Sequence, residues 1–195
     1  MTSASTGVWF ASEWSGIRPD IVTCGKGMSG GYAPVGAVLA SERIVKALAE
    51  QGGFTHGFTF SHNPVTAAAC RATLLILERE GLVERAAAMG DVLGRLILPL
   101  SDRRHVGDVR GRGLLWGIEL SADKGARRPF PRNERRAERV AARAFADGLV
   151  TYPSGGCADG TNGDVVMLAP PFVVTEAQLR EMAAILERAL TAEGL

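Results

Sequence analysis

Apolar and polar positions follow one another along this chain with a period that changes repeatedly, and the changes mark its elements. A short apolar run predicts a strand at 20–23 and another at 35–40, joined by the glycine-rich stretch GKGMSGGYAP. Ser41 then reads as a cap for a helix with Ile44, Val45 and Leu48 on one face, ending at Gly52 and Gly53. Asn63 followed by Pro64 opens a long helix carrying Leu74, Leu75 and Leu77 to Gly81, and a second helical pattern runs over 82–98.

Beyond residue 100 the pattern changes. Strands are predicted at 106–109 and 114–120 around the RGRG turn at 110–113. Residues 121–136, SADKGARRPFPRNERR, read as a charged, solvated loop. A helix follows from Asn133 to near Gly148, then short strands at 149–152 and 165–168. Thr175 and Gln178 make a capping box for a last helix bearing Leu179, Met182, Ile185, Leu186 and Leu190. The fold class expected is α/β, with an α/β piece over 1–99 and a compact α+β domain over 100–195.

Composition narrows the function. The 195 residues are 46% hydrophobic and 22% charged, with a formal net charge of +1, which argues against nucleic-acid or membrane binding as the main task. No apolar run approaches the ~20 residues that cross a bilayer. The opening MTSASTGVWF lacks the basic start and apolar core of a signal peptide, so a cytoplasmic location is expected. Cys24, Cys70 and Cys157 are odd in number and widely spaced, which predicts reduced, buried thiols. His56 and His62 lack a second ligand pair, so no metal is expected and both read as loop or interface residues.

One residue stands out chemically. Lys26 lies between two glycines at the end of an apolar strand, where small residues would let a flat ligand approach the backbone. A nucleotide loop is a poor fit, because GxxxxGK[ST] is absent and Lys26 precedes most of the glycines. Arg110 and Arg112 could hold a carboxylate, but bracing the turn and the domain contact is the favoured reading.

The stretches PDIVTCGKGMSGGYAPVGAVLAS, THGFTFSHNPVTAAA, VRGRGLLWGIEL and GDVVMLAPPFVVT follow one another in an order and spacing that closely resemble the C-terminal half of class III aminotransferases. GVWFASEWSGIRPD near the start resembles them too. These are pyridoxal 5'-phosphate (PLP) enzymes of the aspartate-aminotransferase fold, fold type I, and the resemblance implies that fold with an α+β small domain. It makes Lys26 the Schiff-base lysine and the proton carrier. It assigns Thr59, beside Phe58, to the cofactor phosphate, Thr59 reaching across a homodimer interface. The substrates implied are a small-molecule amine donor and a 2-oxo acid acceptor. The resemblance also places a phosphate-binding glycine loop, a ring-stacking aromatic residue and an aspartate for the pyridine nitrogen ahead of Met1, so it implies a truncated chain. Branches that bind ornithine or acetylornithine carry an arginine three residues before the PP pair. Met167 stands there and points to an amine or ω-amino acid donor. Two alternatives stay open: another class III PLP enzyme (aminomutase, epimerase or decarboxylase), or a non-catalytic fragment acting as an interaction module.

Overall fold

The structure, a computed structural model, describes residues 4–195, so the first three residues of the MTSASTGVWF stretch lie outside the described residues. Packing groups the chain into two compact units, Val8–Val83 with Ala4, and Glu84–Leu195 with Ser5–Gly7.

In the first unit, β1 (Ile21–Gly25) pairs antiparallel with β2 (Gly36–Ala40), with Cys24 opposite Ala37 and Gly25 opposite Gly36. β1 extends beyond the predicted end at Thr23 because the ladder continues to Gly25. Next comes α1 (Glu42–Glu50). Ser41 precedes it but does not cap it with its hydroxyl, which donates instead to Asp20 at 3.4 Å. Arg43 also reaches Asp20, at 2.8 Å, and its hydrogen bond and charge hold that carboxyl below the usual aspartate range. α2 (Pro64–Arg79) starts as its signal predicts: Asn63 Oδ1 accepts from the N–H groups of Val65 and Thr66 at 3.0 and 3.2 Å.

The second unit holds α3 (Leu82–Ile97), β3 (Val106–Arg112), β4 (Leu115–Leu120), α4 (Arg136–Ala146), β5 (Tyr152–Gly155), β6 (Asp164–Leu168) and α5 (Glu176–Ala192). Its antiparallel sheet has the order β3-β4-β6-β5. Alternate residues of β4 and β6 (Trp116, Ile118, Leu120, Val166 and Leu168) enter one core with Leu93 of α3, Val140 of α4 and Leu186 of α5. On the exposed side Arg110 donates to Asp108 and Glu119 at 2.8 and 2.7 Å, so it braces the β3–β4 pair as expected. α5 has the predicted capping box, with Gln178 N–H donating to Thr175 Oγ1 at 3.3 Å and Thr175 N–H to Gln178 Oε1 at 2.9 Å.

Three expectations are corrected in this unit. Residues 121–136 are not a simple solvated loop: Asp123 and Arg128 form a backbone bridge, Ser121 donates to the Arg128 carbonyl at 3.0 Å, and Phe130 is buried with Arg136 4.7 Å over its ring. The following helix starts at Arg136 rather than Asn133. The buried Asp164 of β6 accepts the Ala137 N–H at 3.0 Å, so a strand distant in sequence caps α4. The predicted strand at 149–152 lies instead at Tyr152–Gly155, because Leu149 turns into the core and Tyr152 pairs with Met167.

All three cysteines are free. Cys24 and Cys70 are half-buried, whereas Cys157 is exposed, against the expectation of burial. Among the described residues no helix is long and apolar enough to cross a membrane.

Candidate functional site

β1 delivers Lys26 to the start of a 3-10 turn, Lys26–Ser29, immediately after the last rung of the β1–β2 ladder. Its backbone is left-handed, at φ 54°, a conformation that costs a non-glycine residue energy and clusters at functional positions. The neighbouring glycines make room in different ways. A Cβ at Gly25 would meet the Val35 carbonyl oxygen at 3.1 Å, while one at Gly27 or Gly31 would meet nothing within 4 Å. The lysine itself is exposed. The apolar run therefore sets the strand, and the glycines let the chain turn at its end.

Thr59 and Phe58 lie on the other candidate segment, before α2. Phe58 and Ser61 close a turn, the Phe58 N–H donating to Ser61 Oγ at 3.0 Å and the Ser61 N–H to the Phe58 carbonyl at 2.9 Å. Thr59 is exposed inside that turn. The preceding loop stacks its rings edge to face, with His56 centred 5.9 Å from Phe54 and 4.9 Å from Phe58. Phe54, Phe58 and Phe60 are 72%, 75% and 80% exposed, so this loop offers a large apolar surface.

A groove of about 1030 Å³ runs between the glycine-rich segment and α2, lined among others by Met28, Val35, Phe58, His62, Thr66 and Leu74. Phe58 borders it, but Lys26 and Thr59 are not among its lining residues. The two predicted cofactor-binding segments thus share one unit and both border this groove, through Met28 and Phe58, although neither Lys26 nor Thr59 lines it. Among the described residues no cluster of His, Cys, Asp or Glu has metal-binding geometry. Sequence reasoning singles out neither Ser29, which is fully buried at the end of the lysine turn, nor Thr73 of α2, whose hydroxyl lies 3.1 Å from where a Gly30 Cβ would stand. A serine before two glycines in a polar-looking loop carries no periodic signal.

The pattern described as aminotransferase class-III matches residues 2–190. The chain belongs to the class III aminotransferases. It is 36% identical to an adenosylmethionine-8-amino-7-oxononanoate aminotransferase of Nitratidesulfovibrio vulgaris, over 96% of this chain and 34% of the relative. It is 35% identical to a diaminobutyrate–2-oxoglutarate transaminase of Halomonas elongata, over 95% of this chain and 39% of the relative. Among solved structures, an amine transaminase from an uncultivated Pseudomonas species in its PLP-bound form superposes with TM-score 0.87 at 32% identity, covering 96% of this chain and 42% of the other. This class III chain therefore spans about two fifths of the length of the curated relatives it matches. The fold type I architecture and the α/β class expected from the sequence are those of these structural neighbours.

Proposed function

We propose that the protein is a PLP-dependent transaminase, moving an amino group from an amine or ω-amino acid to a 2-oxo acid, with Lys26 as its catalytic lysine. The observation that carries this reading is the placement of Lys26. It is a left-handed lysine at a strand end, with open space beside it, in a chain that matches class III aminotransferases over almost its whole length.

The residues present fit the cofactor. Lys26 is exposed, and a Cβ at Gly27 or Gly31 would meet nothing within 4 Å, which leaves open space around the lysine turn for a ligand. The donor set is chemically apt too: an amine to bond the cofactor's aldehyde carbon, and a hydroxyl at Thr59 with turn N–H groups to hold a phosphate. When bound, PLP supplies an electron sink for the bond broken at the amino carbon of the substrate. Lys26 would hold the cofactor before substrate arrives, and its freed Nζ would move a proton to or from that carbon. Phe58, beside Thr59 in the same turn, would border the phosphate end.

We assign the protein a homodimeric state, in which the Thr59 segment serves the neighbouring subunit's site. The support is the exposure of Phe54, Phe58 and Phe60 on the same loop, a surface suited to being covered. A cytoplasmic location accords with three free thiols. Met167, three residues before the PP pair, supports an amine or ω-amino acid donor whose carboxylate, if any, is held elsewhere.

The test is PLP titration, borohydride fixation and peptide mapping, followed by assay of amine-dependent conversion of pyruvate or 2-oxoglutarate. A pyridoxyl label at Lys26 is expected. Label confined to Lys46 or Lys124, with Lys26 clean, refutes the assignment.

A further inference from the structure

The turn that carries Lys26 is held by one buried side chain. Ser29 ends the 3-10 turn that Lys26 begins and is inaccessible to solvent, in a segment whose other residues are exposed or half-exposed. Its Oγ–H donates to the Ala33 carbonyl at 2.6 Å, and Oγ accepts from the Ala33 N–H at 3.4 Å. The Ser29 carbonyl accepts the Tyr32 N–H at 3.2 Å. One residue therefore closes 29–33 on itself by three hydrogen bonds.

The closure encloses Gly30 and Gly31 and starts at the residue that ends the Lys26 turn, where the Gly30 N–H also donates to the Gly27 carbonyl at 3.0 Å. Lys26, Gly30 and Gly31 have φ of 54°, 65° and 84°, three left-handed residues within six. Such a segment stays in one conformation only where its surroundings over-determine it. Gly30 is confined from the other side, since an added Cβ would stand 3.1 Å from Thr73 Oγ1 of α2 and 3.3 Å from the Tyr32 ring. The direction of the Cα–Cβ bond at a left-handed residue is set by the turn itself, so whatever holds the turn fixes where the lysine side chain starts and the space its amine can reach.

We propose that Ser29 is a positioning residue for Lys26: its buried hydroxyl holds the turn that directs Nζ toward the aldehyde carbon of the cofactor. The inference rests on the reading of Lys26 as the cofactor-binding lysine. It predicts a loss specific to one of the chain's three lysines, Lys26, Lys46 and Lys124. Lys46 lies on α1 of the same unit and Lys124 in the other, so both serve as internal references.

The chain and its Ser29→Ala and Ser29→Cys variants are titrated with PLP and fixed with borohydride, and the label at each lysine is counted by mass spectrometry. Ser29→Ala is expected to lower labelling at Lys26 about fivefold, the scale of one lost buried hydrogen bond, with Lys46 and Lys124 unchanged. Ser29→Cys, similar in volume with a weak S–H donor, is expected to fall between. A general loosening of the unit would move Lys46 labelling and far-UV circular dichroism along with Lys26; a positioning role leaves both in place. Equal Lys26 labelling in the parent chain and the variants overturns the proposal. If the Ala variant loses its helical signal, the Cys variant decides: reduced Lys26 labelling at unchanged Lys46 labelling supports the proposal, and parent-level labelling overturns it. A parent chain left clean at Lys26 overturns the Lys26 reading itself, and this inference with it.

Discussion

Replacing Gly90 by alanine sets two physical effects against each other within one helix. Gly90 lies inside α3, where alanine is favoured over glycine by about 1 kcal/mol on propensity alone. The structure opposes that gain. A Cβ at Gly90 would stand 2.3 Å from Cα and O of Gly113, at the end of β3, and both are backbone atoms that cannot swing aside. Gly113 is itself confined, with φ 53° and its own added Cβ 2.5 Å from the Ser5 carbonyl oxygen. Restoring an ordinary 3.4 Å contact moves α3 outward by about 1.1 Å, and a gap of that size forfeits a quarter to a half of each affected contact. Leu93 and Ile97, both fully buried, lie on the helix that must move. The loss of packing is about 3 kcal/mol, the upper end of the usual overpacking cost, so the net change is a destabilisation of about 2 kcal/mol. At an m-value of about 2 kcal/mol per molar, the urea midpoint falls by about 1 M. Urea unfolding followed by circular dichroism measures it, with Gly125→Ala as control, since a Cβ there meets only Asp123 Oδ1 at an ordinary 3.6 Å. A Gly90→Ala midpoint at or above that of the parent chain would refute the reasoning, because propensity would then have outweighed the contact.

Other outcomes follow from the same structure. Thr175→Ala removes one half of the α5 capping box and is expected to cost about 1 kcal/mol, read as a lower urea midpoint with an unchanged m-value. Glu138 is held below the usual glutamate range chiefly by its hydrogen bonds from Arg132, so its contribution to stability is full above the unfolded-state pKa of about 4.3 and is lost as pH falls through the lower folded value. Glu138→Gln should therefore flatten the acid limb of a stability–pH curve, and an unchanged limb would count against the assignment. Asn63→Ala leaves the Val65 and Thr66 N–H groups without their cap and should lower α2 protection in hydrogen exchange, sparing α5. Sedimentation of the protein at increasing concentration tests the proposed homodimer, and a well-folded monomer throughout would remove it.

Local features of this protein are legible in its sequence because their causes are local. Asn63 before Pro64 predicts the start of α2, and Thr175 with Gln178 predicts the α5 capping box, since each satisfies N–H groups within three residues. The glycines around Lys26 likewise announce a turn at a strand end, and the order of four motifs carries the family. Long-range partners decide the rest. α4 begins at Arg136 because Asp164, 27 residues on from Ala137, caps it. β5 begins at Tyr152 because its register is set by β6, and the charged excursion after β4 is tied down by Phe130 entering the core. The same holds at the site. No periodicity reveals that Ser29 is buried at the end of the Lys26 turn, or that Thr73 closes in on Gly30, because both depend on the glycine-rich turn and α2 packing against each other. Hydrogen bonds within a turn can be read from neighbouring letters, whereas burial depends on what the rest of the chain brings to that place.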